Sequence, residues 1–458
     1  MNDEEKVLKT IGVKSFEELL PRLPKELLCP EIKIPSSKSE LELAQYIDHL
    51  ASKNKKVTSF LGAGAYDHFI PQTVWELAKR GEFLTAYTPY QAEASQGTLL
   101  TLFEFQTAVC ELFDMEVANA SMYEGATSLI EAVILARRWF IEELNLTPKK
   151  VLIPRALHPH YKETLKTYVK NLNVQIVEIP YDIKTGKLAL RILEKELKDP
   201  SVFAFVVGQP NFFGIIENVD AIGELRSHTQ ALLISVVNNP ISLGVLTPPG
   251  QYNADIAVAD GQPLGLPLSW GGPSAGLFAV KSVYMRKMPG RICGQTKDAE
   301  GKLGYTLTLQ TREQHIRREK ATSNICTNQT LCAIANTIYL SLLGPEGLKE
   351  VAELTFAKAH ELWEHSRAKR LGNPIFDHEE FFQEFPIQTN LTPETIEAKS
   401  QEMGILPGFP LNRDFPELGN ALLIAATEKT QEQDVEKLLN FFQKMGTKNQ
   451  ASAIHSNA

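Results

Sequence analysis

Between residues 150 and 281 the chain alternates two textures. VLIPRAL (151–157), VQIVEIP (174–180), SVFAFVV (201–207), ALLISVV (231–237), DIAVAD (255–260) and GLFAVK (276–281) are short and apolar throughout. Segments such as YKETLKTYVKNL and VDAIGELRSH repeat apolar residues at helical spacing. Strands apolar on both faces, separated by helix-length stretches, predict a largely parallel sheet covered by helices. Ahead of it, TLFEFQTAVCELF and TSLIEAVILARRWFIEEL predict two long helices. The first 50 residues read as helical, with Ser15 before FEELL and Ser39 before LELAQYIDHL as N-caps over acidic first turns. After residue 344 the texture changes to a helix with Pro345 near its start and Gly372 past its end, then short strands around FFQEFPIQ and ALLIAAT. Helices opened by Thr392-Pro393 and by Thr430 go with these strands. The pattern predicts a helical arm (1–55), a large α/β domain (56–343), a small α+β domain (344–446) and a polar, disordered tail (447–458).

Composition narrows the function classes. The 458 residues are 43% hydrophobic, and 47 Lys and Arg against 55 Asp and Glu give a formal charge of -8 with no basic, aromatic-studded face. Nucleic acid and anionic membrane are therefore not expected as partners. Five cysteines (Cys29, Cys110, Cys293, Cys326, Cys332) lack CxxC spacing or a nearby His pair, which fits neither a disulfide framework nor zinc but suits a reducing cytoplasm. The opening MNDEEKVLKTIG is acidic where a leader would be basic, and no apolar run is expected to approach the roughly 20 residues of a bilayer span.

In open parallel sheets ligands sit beyond the carboxyl ends of the strands. The loops there are RALHPH, GQPNFFG, NNPISLG and GQPLGLPLSWGGP, and residues 259–276 contain no Lys, Arg or His. Gly125, Ala126, Thr127 and Ser128 open a long helix whose free N–H groups suit either an anion or a plain cap. His158 at a strand end suits ring stacking, proton transfer or helix capping. Asn238 and Asn239 close the fourth strand with no charge to offer a ring nitrogen. Cys326 and Cys332 read as packing residues. Residues 58–71 and 84–100 gather Tyr66, His68, Tyr87, Tyr90, Gln91, Glu93, Ser95 and Gln96 around glycines, as cleft or interface segments do.

Taken together, FLGAGAYDHFIP, TAYTPYQAEASQGTL, ANASMYEGATSLIEA, GQPLGLPLSWGGPSAG and RREKATSNICTNQTLCA resemble the glycine cleavage system P-protein family, in particular the alpha chain of its two-chain form. The likeness runs from about residue 6 to about residue 445. It implies the α/β fold of type I pyridoxal-phosphate (PLP) dependent transferases, with a mainly parallel sheet in the large domain and a small C-terminal α+β domain. In members that hold PLP, a lysine after one strand forms the Schiff base. Gln262 stands about where that lysine belongs. The resemblance therefore implies no catalytic residue on this chain and a vestigial pocket of His158, Asn238, Asn239, Gln262, Gly125 and Thr127. It places PLP on a beta subunit, within an alpha2-beta2 tetramer that decarboxylates glycine and passes the aminomethyl group to the lipoyl arm of H-protein. Tyr87, Tyr90, Gln91, Glu93, Ser95 and Gln96 would lie nearest the shared cleft. Two other readings stay open: a stand-alone PLP enzyme using another lysine, Lys281 being the nearest, or a structural or regulatory pseudo-enzyme.

Overall fold

The computed structural model describes residues 3–20, 23–27, 34–321, 323–368, 372–376 and 380–455, excepting the side chains of residue 25 and of 446 onwards. Residues Met1–Lys56 and Val57–Ala458 form two compact units.

The first unit contains α1 (Asp3–Ile11) and α2 (Glu40–Ala51). Ser39 Oγ accepts the Glu42 N–H at 3.3 Å while the Glu42 carboxylate accepts the Ser39 N–H at 2.8 Å, a reciprocal capping box that starts α2 as its sequence demands. The helix expected at FEELL is instead a four-residue 3-10 turn, Phe16–Leu19, and Ser15 makes no side-chain cap bond. No described residue of this unit is buried, and Leu43, Tyr46, Ile47 and Leu50 of α2 are exposed.

The second unit is built on a seven-stranded sheet: β1 (Val117–Ala118), β2 (Lys150–Pro154), β3 (Gln175–Ile179), β4 (Val202–Gly208), β5 (Leu232–Val237), β6 (Ile256–Asp260) and β7 (Gly276–Val280), in the order β1-β7-β6-β5-β4-β2-β3. Strands β2 to β6 are parallel, whereas β7 runs antiparallel to both β6 and β1. The reversal has a simple cause: residues 261–275 hold no helix, and a parallel return needs a crossover. Successive residues of β6 point to opposite faces, as a pleated strand requires. Ile256 and Val258 join Leu129, Ile130 and Val133 of α4 (Gly125–Glu142). Ala257 and Ala259 join Leu99, Leu102 and Phe105 of α3 (Gln96–Phe113). Crossovers carry α5 (Pro159–Val169) and α6 (Val219–Ser227).

Helix α7 (Thr330–Ala368) is broken at Gly344, whose φ of 60° is open to glycine, and resumes at Pro345. By length and composition it would cross a bilayer, contrary to the expectation that no such run exists. Its Ala333, Ile334, Ala335 and Tyr339 are instead buried against α3, so its apolar character belongs to the core. Beyond the hairpin of β8 (Ile292–Lys297) and β9 (Leu303–Thr308), a second, antiparallel sheet holds β10 (Asn373–Pro374), β11 (Glu384–Gln388), β12 (Phe409–Pro410) and β13 (Ala421–Ala425), ordered β10-β11-β13-β12. Helices α8 (Pro393–Met403) and α9 (Glu432–His455) cover it with Ile396, Val435, Leu438 and Phe442. The tail expected over 447–458 lies outside the residues whose side chains are described, as does Cys29; Cys110, Cys293, Cys326 and Cys332 are free thiols.

Candidate functional site

Residues that follow β2, β5 and β6 bond to the segment from Phe60 to Phe69: His158 to Ala63, Asn239 to His68 and Gln262 to Tyr66. Gln262, two residues past β6, grips that segment by the backbone N–H and carbonyl of a single residue, Tyr66. Its Oε1 accepts the Tyr66 N–H at 2.9 Å, and its Nε2 donates to the Tyr66 carbonyl and to the Leu266 carbonyl, each at 2.9 Å. Every conventional donor and one acceptor of the amide are thereby used.

The start of α4 is equally committed. Glu124 is its N-cap, and its carboxylate accepts the N–H groups of Ala126 (2.5 Å) and Thr127 (3.0 Å). Asp260, at the end of β6, accepts the Gly125 N–H at 3.1 Å and the Gln262 N–H at 2.9 Å, and also the Ser274 hydroxyl. Thr127 Oγ1 bonds back to the Glu124 carbonyl at 3.1 Å. Two carboxylates of the chain thus occupy the position that an outside anion would take at a helix N-terminus. Burial and the nearby Glu124 raise the Asp260 pKa, against the pull of its three donors. Space is closed as well: a Cβ on Gly125 would stand 1.8 Å from the Tyr161 hydroxyl.

His158 caps α5, its Nδ1 accepting the His160 N–H at 3.1 Å, and its Nε2 donates to the Ala63 carbonyl at 2.8 Å. That donor–acceptor pair fixes the neutral tautomer, and burial pulls the pKa down to about 4. One ring face stacks on Tyr161 with centroids 5.0 Å apart, and Gly64 passes so close that a Cβ there would lie 2.4 Å from Nε2. Asn238 donates to the Pro210 carbonyl at 2.7 Å. Asn239 accepts the Ile241 N–H at 3.0 Å and donates to His68 Nε2 (3.0 Å) and Gln383 Oε1 (2.5 Å). His68 in turn holds Glu428 through Nδ1 at 2.6 Å. Tyr66 donates to Glu384 at 3.0 Å, and the same carboxylate accepts the Ala63 N–H at 2.5 Å; burial pushes Glu384 up to about 7. What space remains among Tyr66, Asn238, Asn239 and Gln383 is a cavity of about 10 Å³, room for a single water.

The structure thus brings Gly125, Thr127, His158, Asn238, Asn239 and Gln262 to one end of the sheet. Glu124, Asp260 and Glu384, which complete the cluster, were not singled out in the sequence. An acidic residue directly before a Gly-Ala-Thr-Ser helix opening was the available signal for Glu124. The segment from Tyr87 to Gln96 stands apart from this cluster in its contacts. Gln96 is locked to the Tyr305 backbone, Tyr90 receives a hydrogen bond from Arg291 at 3.1 Å, and Tyr87, Gln91 and Glu93 face solvent. Lys281 lies at the opposite end of β6, bound to Asn253 and to Asp255 at 3.2 Å. The strand of five residues between the two ends is about 16 Å long.

Pyridoxal phosphate would need an amine anchor, free N–H donors for its phosphate and an anionic partner for its ring nitrogen. Gln262, the Glu124 and Asp260 cap, and neutral Asn238 and Asn239 supply none of these. The residues present do not fit the cofactor.

Comparisons with known proteins agree on one family. Residues 1–442 match the model of the glycine cleavage system P-protein. The chain is 46% identical over 442 residues to the probable glycine dehydrogenase (decarboxylating) subunit 1 of Geobacillus thermodenitrificans, covering 96% of each chain. It is 47% identical over 447 residues to the protein so named in Desulfitobacterium hafniense, covering 96% of this chain and 97% of that one. Among solved structures, an inhibitor-bound glycine decarboxylase (P-protein) of the glycine cleavage system superposes with a TM-score of 0.86 at 40% identity, over 97% of this chain and 98% of that one. A sphingosine-1-phosphate lyase from Burkholderia pseudomallei, at a TM-score of 0.67 and 14% identity over 94% of this chain and 97% of that one, shares the fold alone.

Proposed function

The chain belongs to the glycine cleavage system P-protein family, with the fold of type I PLP enzymes, and from that membership we propose that it is the cofactor-free subunit of a two-chain glycine decarboxylase. In this reading pyridoxal phosphate sits on the partner subunit of a cytoplasmic alpha2-beta2 assembly. Bound there, it supplies the electron sink for glycine decarboxylation, and the aminomethyl group passes to the lipoyl arm of H-protein.

The observation that carries the reading is the cleft sealed from within. Gln262 clasps Tyr66, while Glu124 and Asp260 hold the helix start that a phosphate would need. The residues at this end of the sheet keep the strand ends rigid and dry and leave the chemistry to the partner. Among the described residues, the exposed stripe of α2 and the Tyr87–Gln96 segment are open to meet that partner. Lys281 lies at the wrong end of β6 for a stand-alone PLP enzyme, and its amine is engaged by Asn253 and Asp255.

Reconstitution tests this directly. The chain alone with added PLP should release no carbon dioxide from glycine in the presence of lipoylated H-protein, and adding the lysine-bearing subunit should restore release. Decarboxylation by the isolated chain would refute the reading.

A further inference from the structure

A second feature lies away from the sealed cleft. The C-terminal end of α4, the 3-10 turn Ser282–Lys287 and the loop from Leu309 to Lys320 enclose a cavity of about 220 Å³. Arg138, Arg286, Lys287, Arg312, Arg317 and Lys320 line it, with Glu142 as the acidic residue on the wall. Such a concentration of cations is local, since the chain as a whole carries a net charge of -8.

The charges within it do not balance. Lys287 is satisfied by Glu142 and, at 2.9 Å, by Glu143. Glu142 also lies 3.5 Å from Arg138 Nε, so the nearby acids are spoken for. Yet Arg138 Nη1 is buried with no hydrogen-bond partner. Among the described residues, Arg286 and Arg317 make neither a side-chain hydrogen bond nor an ion pair, although both face the cavity. Arg312, only 7% exposed, is held in place by its donation to the carbonyls of Leu309 at 3.1 Å, Gly290 at 3.0 Å and Met288. In the same loop Leu309 and Arg318 adopt φ of 54° and 53°, a region that non-glycine residues seldom occupy.

We propose that this cavity binds a phosphate-class oxyanion, either free or as the phosphate of a small monoester, with Arg138, Arg286 and Arg317 as its ligands. Planar guanidinium forks match the edges of such an anion, and a buried, unpartnered N–H gains most from it. At about 30 Å³ for a water-sized group, the cavity takes a phosphate with space beside it for a small ester. The inference concerns a different part of the molecule from the cleft and does not depend on which subunit carries the cofactor.

Titration of the purified full chain with inorganic phosphate and with glycerol phosphate, at ionic strength held constant by sodium chloride, tests it. Calorimetry should show one site, and the thermal midpoint should rise with either ligand. The surface double variant Arg286→Ala/Arg317→Ala should fold normally and bind at least about tenfold more weakly, as loss of charge-assisted hydrogen bonds implies. Arg138→Met should weaken binding in the same direction. Tighter binding of glycerol phosphate would identify an ester as the natural form, and tighter binding of inorganic phosphate the free anion. Absence of any effect beyond matched sodium chloride would overturn the proposal. So would equal binding by wild type and both variants.

Discussion

Gln262 accepts from the N–H and donates to the carbonyl of Tyr66 at once, which a lysine ammonium cannot do. Gln262→Lys should therefore destabilise the chain by about 1–3 kcal/mol in urea unfolding, through loss of the Tyr66 clasp, and should show no PLP absorbance band. Glu124→Ala removes the α4 cap and should cost about 1–2 kcal/mol in the same assay. Glu384 gives the pH dependence. Its folded pKa of about 7 lies above the ordinary 4.5, so its stabilising contribution is full below pH 4.5 and is lost as pH rises through 7. Glu131 and Glu217, each raised to about 7 by burial, act in the same direction. His158, lowered from 6.5 to about 4, opposes them, its contribution being lost as pH falls. Wild-type urea stability should fall between pH 5 and 7, and Glu384→Gln should flatten that fall by up to about 3 kcal/mol. An unchanged slope would remove Glu384 from the account. Of this site, Gln262 and the neutral Asn238 and Asn239 were legible as residue types. The carboxylates of the cluster were not, because Glu124, Asp260 and Glu384 come from three distant segments and only the fold brings them together.

Among the elements, the covered sheet was readable because continuous apolar runs of five to seven residues are the length of strands buried on both faces and too short for helices. The direction of β7 was not, since an apolar run looks the same either way; the helix-free loop 261–275 decides it. The same ambiguity affects α7, where a break at Gly344 joins two helices that the pattern around Pro345 presents as one beginning. Helix α2 is preformed by its capping box yet leaves Leu43, Tyr46, Ile47 and Leu50 uncovered. If that stripe meets the partner subunit, Ile47→Asp/Leu50→Asp should change the isolated chain's urea stability by no more than about 0.5 kcal/mol, as exposed substitutions do. Sedimentation with the partner should show weakened association, and unchanged association would assign the stripe to another role.

Over the whole molecule, 40% identity and a TM-score of 0.86 to a solved P-protein mean that the scaffold of a PLP enzyme is kept intact from end to end. At the carboxyl end of the sheet, Gln262, Glu124, Asp260 and Asn238 are each bonded to the chain's own backbone. Division of labour between two chains follows if the retained fold serves the partner's active site. The most direct measurement is borohydride reduction of the assembled complex with PLP, followed by intact-mass analysis and peptide mapping of each subunit. One stoichiometric label on a lysine of the partner, with this chain at its unmodified mass, is the expected result. A stoichiometric label on any lysine of this chain would contradict the central claim that its own cleft holds no cofactor.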